Sequence, residues 1–301
     1  MFKSIWEDIK YNFLTGHMIT RLIIINVAIY MVMALLGAFL QQGGLFLFMK
    51  NNLAVPGQLS VLMYKPWTLF THMFLHLGFW HLLWNMVALH MFGRIVGDLA
   101  GDYRILPTYI LGGLVGAGFY IMSFYLMGSI GSVALGASAG VMAIAVVAAG
   151  IAPDYEIRLL LFGNVKVKYI VAVFLFFDII GAAGMDNSGG HIAHLGGALL
   201  GFALIWGLNR GTDVTLAMYE GYEGLVQRFS RKKPKKSPLR VEHNALPQRP
   251  KQRGTELGVH SPSKTKDEDR LDQILDKIKA KGYDQLSQEE KDFLKQVSNK
   301  F

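Results

Sequence analysis

The sequence predicts an all-α membrane protein with about six membrane-spanning helices and a soluble C-terminal tail. Of its 301 residues, 52% are hydrophobic, although the C-terminal third is strongly polar. Runs with almost no charge at 22–40, 105–127 and 165–183 are long enough to cross the roughly 30 Å of hydrocarbon in a bilayer. Lys and Arg residues lie beside the apolar runs, where they act as topology signals. Together these observations favour a multi-pass membrane domain at 21–210.

The N-terminal part is predicted to lie at the membrane interface and then to cross it. Residues 1–20 alternate charged and aromatic positions, which is typical of an interfacial N-terminal segment. The first span is predicted at 21–40. The connection at 41–66 contains glycine and proline breakers but is otherwise apolar. We therefore expect a first loop that dips into the membrane.

The second apolar stretch, 67–96, is too long for one perpendicular helix and contains four histidines. Polar groups at membrane depth belong in irregular segments or beside wet cavities. We therefore expect residues 65–79 to form a turn-containing segment, with the second span beginning near Trp80. The four remaining spans are predicted at 106–127, 137–152, 167–183 and 191–208. The distribution of Lys and Arg between the spans predicts that both termini are cytoplasmic, at the cell (inner) membrane.

The composition changes completely after the last span. Residues 211–266 are basic and contain Pro and Ser, which predicts a disordered linker near the anionic lipid leaflet. Residues 267–301 have helical periodicity and are predicted to form a small cytoplasmic helical hairpin with Gly282 as a stop. Ser287 and Glu290 form a capping box for its second helix. The net charge of +8 lies beside the spans and in this tail, so the predicted partners include membrane lipids and no nucleic acid.

Three polar elements in the apolar region carry the candidate chemistry, namely THMFLHLGFWHLLWN, GASAG and HIAHLGGALLG. A serine hydroxyl needs an adjacent base to act as a nucleophile. Ser138 is the candidate nucleophile and His194 the candidate base. His81 and Asn85, four residues apart, share a helix face and could stabilise an oxyanion together with the Ser138 backbone N–H.

Other residues of these elements are assigned to structural support. His72 and His76 are expected to hydrogen bond to backbone groups of the loop. Gly197 and Gly201 form a GxxxG face that would bring the sixth span against the fourth. Gly136 is one of the small neighbours that let a helix or a substrate backbone approach the candidate serine. Helix packing alone would explain an isolated serine of this kind, whereas the two histidine elements favour a nucleophile.

These elements, in this order, resemble the rhomboid family of intramembrane serine proteases over about residues 10–210. The resemblance implies a rhomboid-like six-helix bundle that cleaves transmembrane protein substrates. By position it implies that Ser138 is the nucleophile, that His194 is the base, and that His81 and Asn85 stabilise the oxyanion. No cofactor and no metal are expected.

The sequence departs from the family pattern at a few positions. Trp67 stands where the family has a Trp-Arg pair in its first loop, but Thr68 follows it. Ala139 follows the nucleophile where glycine is common, and Met142 stands where an aromatic ring often packs on the imidazole. Ala139 still supplies a backbone N–H, so we expect activity to survive. The final hairpin resembles a small C-terminal module of some bacterial rhomboids.

The predicted function is that of a serine endopeptidase acting within the membrane through a Ser-His dyad. A dyad is predicted because no acidic residue is placed to orient His194, and Asp178 in the fifth span receives no catalytic role. His191 could share a face with the base or simply face water. One alternative is a non-proteolytic rhomboid-like protein that binds clients. Another is a metal-dependent membrane oxidase with histidine boxes, which the missing adjacent histidine pairs disfavour.

Overall fold

Helices dominate the computed structural model, which describes residues 2–39, 41–128, 133–184, 187–229, 266–281 and 283–298. Contacts divide the chain into two compact units, Met1–Lys235 and Lys236–Phe301. In the first unit the helices are α1 Phe2–Thr15, α2 Met18–Phe39, α3 Gln41–Asn52, α4 Leu59–Tyr64, α5 Thr68–Thr71, α6 Phe79–Ala100, α7 Ile105–Met127, α8 Ser138–Ile151, α9 Val167–Ala183, α10 Ser188–Leu208 and α11 Val214–Phe229. Strand β1 Val55–Pro56 pairs with β2 Val133–Ala134, and β3 Glu156–Leu159 pairs with β4 Gly163–Lys166, both antiparallel. Short 3₁₀ turns occupy His72–Phe74 and Asp102–Arg104.

A helix lies at each of the six predicted spans, namely α2 and α6 to α10. By length and composition, Met18–Ala38, Asp102–Met127 and Ser188–Leu208 are apolar enough to cross a membrane. Helices α8 and α9 are shorter, with 14 and 17 residues. The number of six spans therefore stays a prediction, whereas the apolar helices are those of an integral membrane protein.

Helix α8 lies at the centre of the helical bundle. All residues at 139–148 are buried, and α6, α7, α9 and α10 pack around them. A helix that is apolar on every side belongs inside a bundle. Glycines in the neighbouring helices allow this close packing: a Cβ at Gly112 of α7 would lie 2.6 Å from the Ala143 Cβ.

The connection at 41–66 differs from the predicted loop, because α3 and α4 occupy much of it. The two glycines at 43 and 44 lie inside α3, consistent with a glycine costing a helix only about 1 kcal/mol. Side chains of the following segment fix the end of α3. The Trp67 Nε1–H donates to the Asn52 carbonyl at 2.7 Å, and the Thr71 hydroxyl donates to the Leu53 carbonyl at 2.6 Å. These bonds hold the first connection against the segment that precedes α6.

The segment at 65–79 is irregular, in agreement with the turn-containing structure expected there. It contains the four-residue α5 and a 3₁₀ turn, and the long helix α6 begins at Phe79, one residue before the predicted start. His72 Nδ1 lies 2.9 Å from the Thr68 carbonyl oxygen, the kind of backbone contact expected of this histidine.

Residues 211–266 contain a helix where the sequence predicted a disordered linker. Helix α11 follows Asp213, whose carboxylate accepts bonds from the Thr215 hydroxyl and the Leu216 backbone N–H. Burial raises the pKa of the Asp213 carboxyl, but these bonds and the nearby Arg104 charge outweigh it and hold the pKa below its ordinary value. Residues 230–265 lie outside the described part.

The second unit contains α12 Lys266–Lys281, a 3₁₀ turn at Tyr283–Gln285 and α13 Gln288–Ser298. The predicted capping box is confirmed. The Ser287 backbone N–H donates to the Glu290 carboxylate at 2.7 Å, and the Glu290 N–H donates to the Ser287 hydroxyl at 3.3 Å. Gly282, the predicted stop, lies outside the described residues. The boundaries of the four predicted segments, 1–20, 21–210, 211–266 and 267–301, stay predictions.

Candidate active site

The candidate serine and the candidate base meet across two helices. Ser138 is the first residue of α8, and His194 lies in the second turn of α10. The Ser138 Oγ lies 2.6 Å from the His194 Nε2, within hydrogen-bonding distance although the two residues are 56 positions apart. The contact therefore depends on how α8 and α10 are packed.

A glycine turn places Ser138 at the start of α8. Gly136 has φ 127°, a conformation that side chains disfavour. Its backbone N–H donates to the His72 carbonyl at 2.9 Å, which fixes the turn to the segment before α6. A Cβ at Gly136 would lie 3.0 Å from two atoms of the His81 ring. Gly136 thus leaves room for the His81 ring beside Ser138.

The GxxxG face of α10 rests directly on the backbone of α8. A Cβ at Gly197 would lie 2.1 Å from the Ala139 carbonyl oxygen, and one at Gly201 would lie 2.7 Å from the Ala143 carbonyl oxygen. The first contact involves the residue after Ser138, and Gly197 lies three residues after His194. Close backbone packing next to the pair therefore sets the distance between the hydroxyl and the imidazole.

His81 and Asn85 lie on successive turns of α6 and line one cavity with Ser138 and His194. The cavity has a volume of about 550 Å³, and we call it the polar cavity because polar side chains such as Lys50 and Asn187 are among those that line it. The Asn85 amide donates to the His81 backbone carbonyl at 2.8 Å. The structure thus brings all four sequence-predicted residues together, while their catalytic roles stay a prediction.

The N-terminus of α8 adds backbone donors to this cavity. The first N–H groups of an α-helix have no acceptor within the helix, and they carry the positive end of the helix dipole. No side chain caps the helix at Ala137. The N–H groups at Ser138 and Ala139, two residues that line the cavity, can therefore serve a ligand oxygen.

His76 makes a contact that the sequence did not predict. Both of its ring nitrogens are buried, and neither makes a hydrogen bond of standard geometry among the described residues, although the ring interacts with the Phe74 backbone. Its ring also contacts the His81 ring edge to face, with 5.0 Å between centroids. His76 therefore packs beside His81, while its role in supporting the loop stays a prediction.

An acidic residue lies next to the candidate base, contrary to the prediction that none is placed to orient it. The Asp178 Oδ1 lies 2.8 Å from the His194 Nδ1 and also 2.8 Å from the His191 Nδ1. Asp178 is on α9 and only 4% of its surface is exposed. Its contact with α10 joins two helices, so local spacing does not reveal it. The sequence signal that could have indicated a role for Asp178 was the energetic cost of a carboxyl group inside an apolar span.

The same three residues could offer ligands to a cation. One ligand atom from each of Asp178, His191 and His194 lies within 4.8 Å of the other two. The two hydrogen bonds between these groups already account for this closeness.

A second, apolar cavity reaches the site from the side. Its volume is about 510 Å³, and it reaches Ser138, His194 and Asp178. Its walls come mainly from α6, α8 and α9, including Trp84, Met91, Met142, Phe174 and Phe177. The site is therefore open to a polar cavity on one side and to an apolar cavity between α6 and α9 on the other.

Residues 64–211 match the family model described as "Rhomboid domain", and this range contains the candidate residues described above. Residues 260–300 match the model "Family of unknown function (DUF6576)". No curated protein matches the chain. Members of the rhomboid family are serine intramembrane proteases. Residues 64–211 are therefore a Rhomboid domain, a match that supports a rhomboid family intramembrane protease.

Proposed function

We propose that this protein is a serine endopeptidase that cleaves the transmembrane segments of client membrane proteins. The single observation that carries the proposal is the 2.6 Å contact between the Ser138 Oγ and the His194 Nε2. A nucleophile and base within hydrogen-bonding reach is the geometry that covalent hydrolysis requires. The Rhomboid domain supports the same reaction class.

In the proposed reaction, the Ser138 Oγ attacks the carbonyl carbon of the scissile peptide bond while His194 Nε2 takes the hydroxyl proton. The tetrahedral intermediate collapses, the C–N bond breaks, and His194 gives that proton to the leaving amine. Water then attacks the acyl-enzyme, with His194 again as the base. The products are a carboxylate terminus, an amine terminus and the free serine.

The developing negative charge on the carbonyl oxygen requires donors. The Ser138 backbone N–H at the N-terminus of α8, the His81 ring and the Asn85 amide are the proposed donors. Removing one such donor typically costs about 2.7–4 kcal/mol of transition-state stabilisation. The Asn85 amide already bonds to the His81 carbonyl, so it would donate its second hydrogen to the oxyanion.

The two cavities suggest separate routes for the two reactants. The polar cavity would admit water, which acyl-enzyme hydrolysis consumes. The apolar cavity between α6 and α9 would receive a client helix from the lipid. A regular helix hides its carbonyl groups in hydrogen bonds, so clients with small residues and a locally unstable helix are the proposed substrates.

The proposal includes the membrane arrangement. Six spans would place the cavity with Ser138 on the extracytoplasmic side of the cell (inner) membrane, with both termini cytoplasmic. Membrane lipids would contact the exposed apolar side chains of α9, such as Phe176 and Ile180.

Cleavage of a reporter protein with one transmembrane segment tests the proposal. Ser138→Ala should abolish turnover, and His194→Ala should lower it by roughly 10²–10⁴-fold, the contribution of general-base catalysis. His90→Ala is the matched control, because His90 is exposed on α6 and does not line either cavity. Equal turnover by wild type, Ser138→Ala and His194→Ala would end the proposal.

Two further measurements distinguish the alternatives. A fluorophosphonate probe should label wild-type protein at Ser138 and leave Ser138→Ala unlabelled. A client-binding relative without activity would retain the reporter uncut and unlabelled. Stoichiometric bound iron in purified protein would instead favour an oxidase that uses the Asp178, His191 and His194 group.

A further inference from the structure

We infer that Asp178 is a positioning residue for the base His194, and that His191 holds the Asp178 carboxylate in place. The inference rests on the proposed function and adds two residues to its mechanism. Its basis is a continuous series of contacts from His191 to Asp178, from Asp178 to His194, and from His194 to Ser138, each between 2.6 and 2.8 Å.

The position of Asp178 argues against an incidental ion pair. Its carboxyl group is almost fully buried in the middle of an apolar helix, where a charged group is costly without partners. The Oδ1 atom lies within bonding distance of two imidazoles, whereas the Oδ2 atom is buried and has no hydrogen-bond partner among the described residues. The Asp178 carboxylate therefore depends on the two histidines for its hydrogen bonds.

The contact with the base fixes its tautomer. A carboxylate oxygen accepts hydrogen bonds, so the His194 Nδ1 carries the proton that faces Asp178. The Nε2 atom is then the unprotonated nitrogen that can accept a proton from Ser138. When Nε2 takes that proton, the ring becomes a cation beside a carboxylate in a weakly polar interior, where the attraction is strong. The Nδ1 proton stays on His194 throughout and is not transferred to Asp178.

Gly181 on α9 leaves space for the His191 ring. A Cβ added at Gly181 would lie 2.4–2.6 Å from three atoms of the His191 ring, so only glycine leaves space for the ring there. Gly181 lies three residues after Asp178 on α9, and His191 lies three residues before His194 on α10. Both pairs share a helix face, as residues three apart do. The two helices therefore present matching pairs, and His191 serves as a second donor that limits rotation of the carboxylate.

A purely structural role would predict a different outcome from the positioning role. If the contacts only stabilised α9 against α10, their loss would reduce folding stability and the amount of active enzyme, with no specific effect on the chemical step. If Asp178 positions His194, its loss lowers kcat with little change in KM, because the proposed client contacts come from the large apolar side chains of the cavity and not from the buried Asp178 carboxyl group.

The test is steady-state cleavage of the transmembrane reporter by Asp178→Asn. We expect kcat to fall by roughly 10²–10⁴-fold with KM unchanged, and the fluorophosphonate labelling of Ser138 to slow in parallel. Asp178→Gly should recover part of its kcat when formate is added, because the apolar cavity reaches this position. Asp98→Asn is the matched control, since Asp98 pairs with the exposed Arg94 far along α6, and it should retain wild-type kcat.

Gly181→Ala tests the same series of contacts at His191 instead of at Asp178. The added methyl group should displace the His191 ring and lower kcat several-fold while Asp178 and His194 remain. In wild-type protein, ¹⁵N NMR of labelled histidines reads the tautomer directly and needs no variant. A proton on the Nδ1 of His194 supports the inference, and a proton on its Nε2 overturns it.

The outcomes separate this inference from the proposed function. If Ser138→Ala is inactive while Asp178→Asn cleaves at the wild-type rate, the protease proposal stands and the positioning role fails. If Ser138→Ala and His194→Ala also cleave, the proposed function fails and the inference fails with it. A fall in kcat of Asp178→Gly that formate does not reverse, with unchanged labelling of Ser138, would leave only a structural role.

Discussion

Two regions contribute to the site, and they are packed very differently. Helices α8 and α10 contact each other through backbone and glycine, and every residue of α8 from 139 to 148 is buried. Helix α9 buries only Val167, Ile170, Val171 and Asp178. Its large apolar side chains are instead exposed, with 61% of Phe177 and 60% of Ile179 accessible. The serine and base thus lie on the tightly packed pair, and the carboxylate lies on the loosely packed helix.

This difference in packing suggests that α8 and α10 have a different role from α9. Tight packing in α8 and α10 keeps the reacting atoms at a fixed distance, which is valuable because a displacement of about 1 Å can cost roughly 10²-fold in rate. Helix α9 has few buried residues, so packing holds it less tightly than α8 and α10. Because the Asp178 carboxylate contacts His194, the position of α9 affects the orientation of the base.

The largest effect is expected where α10 rests on α8. Gly197→Ala places a methyl group 2.1 Å from the Ala139 carbonyl oxygen, so the two helices must move apart. We expect a loss of about 1–3 kcal/mol in stability, as for overpacking, and at least about 10²-fold lower cleavage. Thermal unfolding in detergent and reporter cleavage measure the two effects.

Gly118→Ala is the matched control for that experiment. A Cβ at Gly118 meets nothing within 4 Å, so this change on α7 should stabilise the helix by about 0.5–1 kcal/mol and leave cleavage intact. Wild-type stability and cleavage in Gly197→Ala would contradict the assigned role of the backbone contact.

A paired truncation should show a smaller effect of the same kind. Ile144 on α8 is fully buried, whereas Ile179 on α9 is 60% exposed to the surroundings of the bundle. Ile144→Ala should lower the free energy of unfolding by about 2 kcal/mol, the lower end of the range for core truncation. The loss is at the lower end because lipid gives the side chain apolar contacts in the unfolded state as well. Ile179→Ala should leave the unfolding temperature nearly unchanged. Equal losses would show that the two helices are packed alike.

The smallest effect is expected at the start of α9, where Asp154 contacts Lys168 at 2.8 Å and Lys166 at 3.0 Å. Hydrogen bonds from Lys168 and Lys166 hold the pKa of Asp154 below its ordinary value of 3.8. A carboxyl with a lowered folded pKa stabilises the protein above that ordinary value and loses the contribution as pH falls through the folded pKa. All three groups are exposed, so Asp154→Asn should leave Tm at pH 7 unchanged. A clear fall in Tm would mean that these ion pairs hold α9 more firmly than its packing.

The sequence predicted the helices where their signal is local. Long, mostly apolar runs predicted α7 and α9 to within one residue, and the Ser287 and Glu290 pair predicted the start of α13. The approximate start of α6 followed from the excess length of the second apolar stretch and from its four histidines. Periodicity and capping are properties of neighbouring residues, so one sequence is enough to reveal them.

Features that depend on tertiary contacts were missed. Helix α3 is held by Trp67 and Thr71 from a later segment, and α11 begins at a carboxylate that also pairs with Arg104. Asp178 meets His191 and His194 only after α9 and α10 pack together. The candidate site was therefore predicted as a set of residue types, with the carboxylate absent because nothing in the local pattern connects it to the base.

If the proposed function holds, the length of α8 determines where a client would have to unwind. Its 14 residues extend only about 21 Å at ~1.5 Å per residue, which is roughly 9 Å less than the hydrocarbon thickness. If its last turn reaches one surface of the bilayer, the hydroxyl at its first turn lies about two helical turns below the other surface. Under the proposed function, a client would then have to expose its scissile bond roughly six residues inside its own membrane segment.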